Sequence, residues 1–339
     1  MANRPGNQPN FNTPLKHSSR KKRLLRRKRE RVVALAIITV IFAIVLSLAI
    51  FLVCFAVDAI KTAIASKPND TQLPAGDIST QSIVFDKIPY SNTAVHVGEL
   101  IVVNEHYAYD FSANSDLSAE MKTIFNNRVM FENTSNTYMV NGNNKAWKLH
   151  TKTLSALNDM MHEYYRIFKD GSTSVSSAYR SFEDQEALNS SVEPGFSDHH
   201  TGYCVALMDQ GTGIQSDHWI FTAAHRYGLI QRYPDVKESI TGVSDYGHCF
   251  RYVGVAHATY IKENNLCLEE YISLVQTHYT ADNRLAITGA DGNRYEVYYI
   301  PASNSDLTTV SVPKNYQYTV SGDNIGGFIV TVNLSAPVA

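Results

Sequence analysis

The stretch FSDHHTGYCVALMD, residues 196–209, decides the fold. Its Thr-Gly pair predicts a turn, and the apolar run that follows predicts a buried strand. Side chains alternate between the two faces of a strand, so Cys204 and Ala206 share one face while Asp209 lies on the other. Imidazole is a frequent metal ligand, which makes His199, just before this strand, a candidate ligand.

Charge is segregated along the chain. Residues 1–31 contain 11 Lys or Arg and one acidic residue, although the formal net charge of the whole chain is −2. Residues 32–57 then form a 26-residue run without a charge, which is long enough to cross a bilayer. Basic residues before such a run mark its cytoplasmic side. We therefore predict a basic cytoplasmic tail, a single-pass membrane anchor over residues 32–58 and an extracytoplasmic main domain.

Two other interpretations of the N-terminal region stay open. The segment Ala63-Ile64-Ala65 resembles a signal-peptide cleavage site, but the apolar run is roughly twice the usual length of a signal-peptide core. The basic tail could bind nucleic acid, yet a basic run beside an apolar span is more typical of a topology signal in contact with anionic lipid. We therefore expect the cell membrane as the location and no nucleic-acid partner.

The rest of the chain changes character twice. Residues 59–84 are polar and contain proline and glycine, which is typical of a linker. Residues 85–276 alternate between helical and strand-like patterns: apolar residues at helical spacing predict a helix over 147–169, and an apolar run predicts a strand within 98–111. This mixture of helices and a small sheet indicates an α+β domain.

The C-terminal residues 277–339 predict a small all-β module. Short runs of alternating apolar residues are separated by turn residues, and Asp291-Gly292 predicts a hairpin. The module is too small for a large core of its own, so we expect it to pack on the preceding domain.

The chain has four cysteines, at positions 54, 204, 249 and 267. None of them forms a CxxC pair, which leaves a zinc-ribbon site without support. Outside the cell a disulfide between two of the last three is permitted.

Four segments together resemble the VanY-type D-alanyl-D-alanine carboxypeptidases, zinc peptidases that trim peptidoglycan stem peptides. In chain order they are SSAYRSFEDQ (176–185), PGFSDHHTGYCVA (194–206), WIFTAAHRYGLIQRYPDVKESITG (219–242) and DYGHCFRYVG (245–254). The resemblance implies a VanY/hedgehog-type α+β fold with a small antiparallel sheet and helices. It covers neither the predicted anchor nor the β module.

The resemblance also implies a set of chemical positions, and most of them are replaced. Such a site needs a His, an Asp and a second His as zinc ligands, plus a Glu that takes a proton from the metal-bound water. The first His is His199. The Asp position is Ala206, the second His position is Cys249, and the Glu position is Tyr246. An alanine offers no ligand, and a phenol is a poor base near neutral pH.

A relocated metal site is the alternative to a lost one. Asp245 and His248 keep the acid-to-His spacing one residue early, and Asp209 supplies a carboxylate three residues late. Odd shifts along a strand turn a side chain to the opposite face, so His248 would need a bulge at Cys249. A second bulge would be needed for Asp209. Zinc is the expected cofactor only if this rearrangement exists, and otherwise we expect none.

The peptide-binding side is better preserved. Arg180 matches the family arginine that grips the terminal carboxylate of the stem peptide, a task suited to a forked guanidinium. Gln185 and Ser197 match further substrate-binding positions. A structural ion pair that holds the end of the strand is the alternative role for Arg180.

The resemblance implies that the strands that carry Cys204 and Cys249 are neighbours in the sheet. The two thiols are therefore compatible with a disulfide across the emptied site or with two buried, unbonded thiols.

We expect a membrane-anchored homologue of these enzymes that has lost zinc and catalysis. Its partner would be peptidoglycan stem peptide or a protein of the cell envelope. The alternatives are an active zinc D-alanyl-D-alanine carboxypeptidase with a rearranged metal site and a plain structural spacer for the β module.

Overall fold

A computed structural model describes residues 83–188, 190–209, 212–213, 218–244 and 246–338. The predicted tail, the predicted anchor and nearly all of the predicted linker lie outside the described residues. Within the described part of the chain, no helix is both long and apolar enough to cross a bilayer.

Helices and small sheets occur together, as the α+β prediction requires. The helices are α1 Leu117–Glu120, α2 Thr151–Phe168, α3 Phe182–Ala187, α4 Trp219–Ala223, α5 Glu238–Thr241, α6 Val255–Glu263 and α7 Leu268–His278. The strands are β1 Phe85–Ser91, β2 Met121–Thr123, β3 Met139–Val140, β4 Lys148–His150, β5 Thr173–Ser177, β6 Cys204–Asp209, β7 Thr212–Gly213, β8 Leu229–Gln231, β9 Cys249–Tyr252, β10 Leu285–Thr288, β11 Arg294–Pro301, β12 Leu307–Pro313, β13 Tyr316–Gly322 and β14 Gly327–Pro337. Helix α2 confirms the helix predicted over residues 147–169.

The central sheet has the order β3-β5-β6-β9-β8, with β7 paired to β6. Strands β3 and β5 are parallel, and the other pairs are antiparallel. One face of β6 and β9 places Val205, Leu207 and Phe250 in the main hydrophobic core with α2. The opposite face presents Cys204 and Cys249 to a smaller cluster. The alternation therefore separates a packing face from a face that is free for a site.

The C-terminal module is a four-stranded antiparallel sheet of order β10-β11-β14-β13. Strands β10 and β11 form the predicted hairpin, with Thr288 opposite Arg294. Gly292 in its turn has φ 80°, a left-handed conformation that glycine adopts without a steric cost. The hairpin prediction at Asp291-Gly292 is confirmed.

Strand β1 belongs with the C-terminal module, although the sequence had grouped residues 85–91 with the α+β domain. It pairs antiparallel with β12 along its whole length. The turn that follows packs against β13, where a Cβ on Gly322 would lie 2.1 Å from the carbonyl oxygen of Val95. Only glycine permits this approach, so the start of the described chain is fixed to its end.

The strand predicted within residues 98–111 is wrong. Residues 100–103 are buried, but they belong to no strand and join no sheet. Backbone carbonyls in and beside this segment accept hydrogen bonds from arginine side chains instead. Arg251 Nη2 donates to the carbonyls of Glu99 and Ile101, at 2.9 and 3.1 Å. Arg232 Nη2 donates to the carbonyl of Val103 at 3.3 Å. Buried carbonyls need a partner, and guanidinium groups supply it here in place of a strand.

The same two arginines enclose Asp198, whose side chain is 1% exposed. Arg251 Nη1 donates to Asp198 Oδ1, and Arg232 Nε lies 3.3 Å from Asp198 Oδ2. Arg232 also pairs with Glu269 of α7 at 2.7 Å. Because both guanidinium groups are fully buried, these charges depend on one another for compensation.

Asp198→Ala should therefore strongly destabilise the protein. Removal of one member of a buried, hydrogen-bonded ion cluster costs about 3–5 kcal/mol, because the other charges stay buried without compensation. The free energy of unfolding from urea denaturation measures this. Asp86→Ala is the matched control: its pair with Lys314 is about half exposed on both sides, and exposed pairs contribute roughly 0–1 kcal/mol. Equal losses in the two variants would contradict the role assigned to Asp198.

Stability should also fall in acid because of His257. This buried side chain on α6 joins α7 and β14 through hydrogen bonds with the Tyr271 hydroxyl at 2.6 Å and the Thr331 hydroxyl at 2.9 Å. Burial lowers its pKa to about 3. The unfolded chain takes up this proton near the ordinary value of 6.5, so the stabilisation is lost as the pH falls below that value, by about 1.4 kcal/mol per pH unit.

We expect His257→Gln to reduce the pH dependence of the unfolding free energy by about one proton between roughly pH 6 and pH 4. Urea denaturation at a series of pH values measures the slope. His106→Gln serves as the control because the imidazole of His106 is 73% exposed. An unchanged slope in His257→Gln would show that another group takes up the proton.

Candidate functional site

His199 lies in a short 3-10 turn, Asp198–Thr201, that leads into β6. The turn ends at Gly202 with φ 72°. The His199 side chain is 2% exposed. Its Nε2 is 3.0 Å from the Tyr246 hydroxyl and 4.0 Å from Cys204 Sγ. Burial, followed by the positive charge of Arg180, holds the pKa of His199 well below its usual range, so the imidazole is neutral.

The Tyr246 hydroxyl connects His199 to Arg180. Arg180 Nη2 donates to this oxygen at 3.1 Å, and the hydroxyl proton is then available to Nε2 of the neutral His199. The phenol at the family's Glu position is therefore held by two hydrogen bonds in a fixed direction.

Arg180 is half-buried and is surrounded by neutral groups. Its Nε and Nη2 donate to Ser177 Oγ at 3.2 and 2.8 Å, and its Nη1 donates to Gln185 Oε1 at 2.9 Å. Within the described residues no carboxylate lies in ion-pair distance of this guanidinium. The alternative role for Arg180, a structural ion pair, thus has no partner in the part of the chain that the structure describes.

The two other predicted substrate-binding residues are buried. Gln185 orients Arg180 from α3, and its Nε2 donates to Ser190 Oγ and to the Val192 carbonyl. Ser197 immediately precedes the turn that carries His199. Gln185 therefore positions the guanidinium of Arg180 from α3.

Cys204 and Cys249 form a disulfide across β6 and β9. Their Cα atoms are 6.7 Å apart, and both side chains are fully buried beneath Tyr233 and Tyr246. Ala206 is the direct partner of Cys249 in the strand register. The family's missing carboxylate position therefore faces the disulfide.

The two relocated candidates that the structure describes, His248 and Asp209, do not join His199 in a group that could hold a metal. Leu207 N donates to the His248 carbonyl at 3.0 Å, which continues the regular pairing of Ala206 with Cys249. Residues 247 and 248 form a turn before β9, and the His248 imidazole packs edge-on against the Tyr246 ring, with the ring centroids 4.6 Å apart. Asp209 Oδ1 accepts a hydrogen bond from Ser172 Oγ at 2.7 Å, at the far end of β6. The other relocated candidate, Asp245, lies outside the described residues.

A different trio does converge. Within the described residues, the atoms of His199, Cys204 and Cys249 that could bind a metal all lie within 4.8 Å of one another. One imidazole and two thiolates are a donor set that zinc accepts. Sulfurs that are bonded to each other cannot serve as thiolates, so the trio fits zinc only when the disulfide is reduced. In the disulfide form His199 alone remains, which is not a zinc site.

Comparison with known proteins identifies relatives of the region that carries the site. The VanY family, described as D-alanyl-D-alanine carboxypeptidase, matches residues 146–255. We refer to these matched residues as the VanY-family domain. The match contains β5, β6 and β9, and with them the predicted site residues.

Individual relatives lead to the same family. The chain is 34% identical over 167 residues to the D-alanyl-D-alanine carboxypeptidase of Enterococcus faecium, covering 47% of this chain and 53% of the relative. It is 42% identical over 83 residues to the D-alanyl-D-alanine carboxypeptidase of Enterococcus faecalis, covering 24% of this chain and 31% of the relative. The chain thus spans about half or less of the length of these curated relatives.

A solved structure shares the fold over a longer range. The vancomycin resistance D,D-dipeptidase VanXYg, in complex with a D-Ala-D-Ala phosphinate analogue, superposes with a TM-score of 0.59 at 26% identity. The superposition covers 74% of this chain and 99% of that chain. The α+β, VanY-like part of the fold prediction is therefore confirmed.

Sequence reasoning missed three roles in this VanY-family domain. Cys204 is a possible ligand as well as a disulfide partner, Ser177 holds Arg180, and the Tyr246 hydroxyl bridges Arg180 and His199. Strand alternation could have revealed the first of these, because it places Cys204 on the same face as Ala206. The other two depend on side-chain directions at a strand end and in a loop.

Proposed function

We propose that the VanY-family domain binds peptides that end in D-Ala-D-Ala, the terminus of peptidoglycan stem peptides, and does not hydrolyse them. The observation that carries this proposal is the guanidinium of Arg180. It is half-buried, it is oriented by three neutral groups, and within the described residues it lacks a counter-ion.

Binding follows from this charge. A partly buried guanidinium prefers an anion to neutral acceptors. The hydrogen bonds to Ser177, Gln185 and Tyr246 use four of the five N–H donors of Arg180, so a peptide carboxylate would take the remaining Nη1 donor or replace one of these neutral acceptors. Ser177, Gln185 and Tyr246 fix the fork, so little side-chain freedom would be lost when a peptide carboxylate arrives. The free C-terminus of a stem peptide supplies such a group.

The absence of hydrolysis follows from the residues beside it. Peptide hydrolysis of this type needs a metal-bound water and a carboxylate that accepts its proton. Ala206 stands at the position of the metal carboxylate and Tyr246 at that of the proton acceptor. The two sulfurs nearest His199 are joined to each other.

The relatives support the ligand class. The E. faecium relative is named a D-alanyl-D-alanine carboxypeptidase, and VanXYg was solved with an analogue of D-Ala-D-Ala. A role in the cell envelope, alone or in complex with an envelope protein, would follow from recognition of this ligand. The competing proposal is an active zinc carboxypeptidase, and the assay below separates the two.

Arg180→Gln should weaken binding of a pentapeptide ending in D-Ala-D-Ala by roughly 10-fold to 100-fold, because one charge-assisted pair contributes about 1.5–3 kcal/mol. Isothermal titration calorimetry of the full-length protein measures this. The same peptide with a C-terminal amide should bind the wild-type protein with a similar loss, and Arg180→Gln should no longer distinguish acid from amide.

Arg166→Gln is the matched control, because Arg166 lies on α2 in an exposed pair with Glu163. It should bind the peptide as the wild-type protein does. Equal affinity of the wild-type protein for acid and amide would refute the binding site. Release of D-Ala by the wild-type protein with repeated turnover would refute the loss of catalysis and favour the enzyme.

We further propose that residues 32–58 anchor the protein in the cell membrane with the VanY-family domain outside. The uncharged run and the basic residues before it support this. The full-length protein should remain with membranes after alkaline carbonate extraction, whereas a variant lacking residues 32–58 should be released. Protease added to intact cells should degrade the domain. Release of the full-length protein by carbonate would contradict the anchor.

A further inference from the structure

His199, Cys204 and Cys249 allow two covalent arrangements of one buried cluster. In the first, the two sulfurs form a disulfide. In the second, both sulfurs are free; in the disulfide form they already lie within 4.8 Å of the ligand atom of His199. No carboxylate is needed for the second arrangement, because Cys204 contributes a ligand that the family pattern does not contain.

We propose that reduction of the Cys204–Cys249 disulfide converts this cluster into a zinc site with His199, Cys204 and Cys249 as ligands. The cluster would bind zinc when the two cysteines are reduced and would not bind zinc when they form the disulfide. This inference concerns metal binding only and is independent of the peptide binding proposed above.

The distances favour this arrangement. In a tetrahedral zinc site with bond lengths near 2.1 and 2.3 Å, an imidazole nitrogen and a thiolate sulfur lie roughly 3.5 Å apart. His199 Nε2 and Cys204 Sγ are 4.0 Å apart, so a small side-chain rotation brings them to this spacing. Ala206 is the direct strand partner of Cys249. Its side chain is only a methyl group, so it takes up little space beside the sulfur of Cys249.

The charges also balance. Cys204, Cys249 and His199 are almost completely excluded from water, and a buried cluster is costly unless its charges compensate. One Zn²⁺, two thiolates and one neutral imidazole sum to zero.

Tyr246 would compete with the metal. Its hydroxyl is 3.0 Å from His199 Nε2, and that nitrogen has one lone pair, so it cannot accept the hydroxyl proton and bind zinc at the same time. Metal binding would therefore release Tyr246 from His199 and leave it bound to Arg180. Three protein ligands leave a fourth position, which would lie toward this hydroxyl.

The redox step needs a dithiol reductant. Two electrons and two protons pass from the reductant to the disulfide, the S–S bond breaks, and two thiols form while the reductant becomes a cyclic disulfide. Zinc then displaces the two thiol protons into solvent.

The test compares oxidised and dithiothreitol-reduced full-length protein after anaerobic removal of the reductant. Elemental analysis after zinc loading and gel filtration should give about one zinc per reduced chain and essentially none per oxidised chain. Cobalt(II) should give the intense near-ultraviolet thiolate-to-cobalt band with the reduced protein only, and zinc should displace it. Cys204→Ser and Cys249→Ser should each weaken cobalt binding by more than roughly 100-fold.

Two further variants make the test specific. Cys267→Ala removes a buried cysteine that is free among the described residues and should keep the cobalt band. Tyr246→Phe removes the competitor and should bind cobalt roughly fivefold more tightly, since one hydrogen bond contributes about 1 kcal/mol. A reduced protein without a thiolate band would overturn the proposal, as would equal binding by folded Cys204→Ser, folded Cys249→Ser and wild-type protein.

Discussion

The buried carboxylate of Asp198 between Arg232 and Arg251 is the interaction on which the rest of the structure depends. It immediately precedes His199, so it fixes the turn that presents the candidate ligand. The same guanidinium groups bind the backbone carbonyls of residues 99, 101 and 103 and the carboxylate of Glu269. One cluster of charges thus joins the N-terminal segment, the central sheet and α7.

This cluster does not include the positions that differ from the family pattern. Asp198, Arg232 and Arg251 need one another for charge compensation. Ala206, Tyr246 and Cys249 carry no charge of the cluster. Substitutions at these three positions therefore change the chemistry of the site without leaving a buried charge uncompensated.

Most of the α+β fold could be predicted because its signals are local. Helix α2, strand β6 and the hairpin at Asp291-Gly292 follow from periodicity and turn residues. The partner of β1 could not be predicted, because strand pairing between residues far apart leaves no local pattern. The apolar run at residues 100–103 predicts a strand that does not form, because apolar residues are buried in the same way whether the neighbouring carbonyls bond to a strand or to arginines.

The site divides in the same way. Motif spacing identified His199, Arg180 and the replaced positions. It did not reveal that Arg180 has neutral neighbours or that the Tyr246 hydroxyl reaches His199, since these depend on the path of loops.

The pairing of β1 with β12 has a further consequence for dissection of the protein: a fragment ending near residue 276 would contain one strand of a pair whose other strand had been removed. A shortened protein should therefore keep both β1 and β12, although the residues that the family model matches contain neither strand.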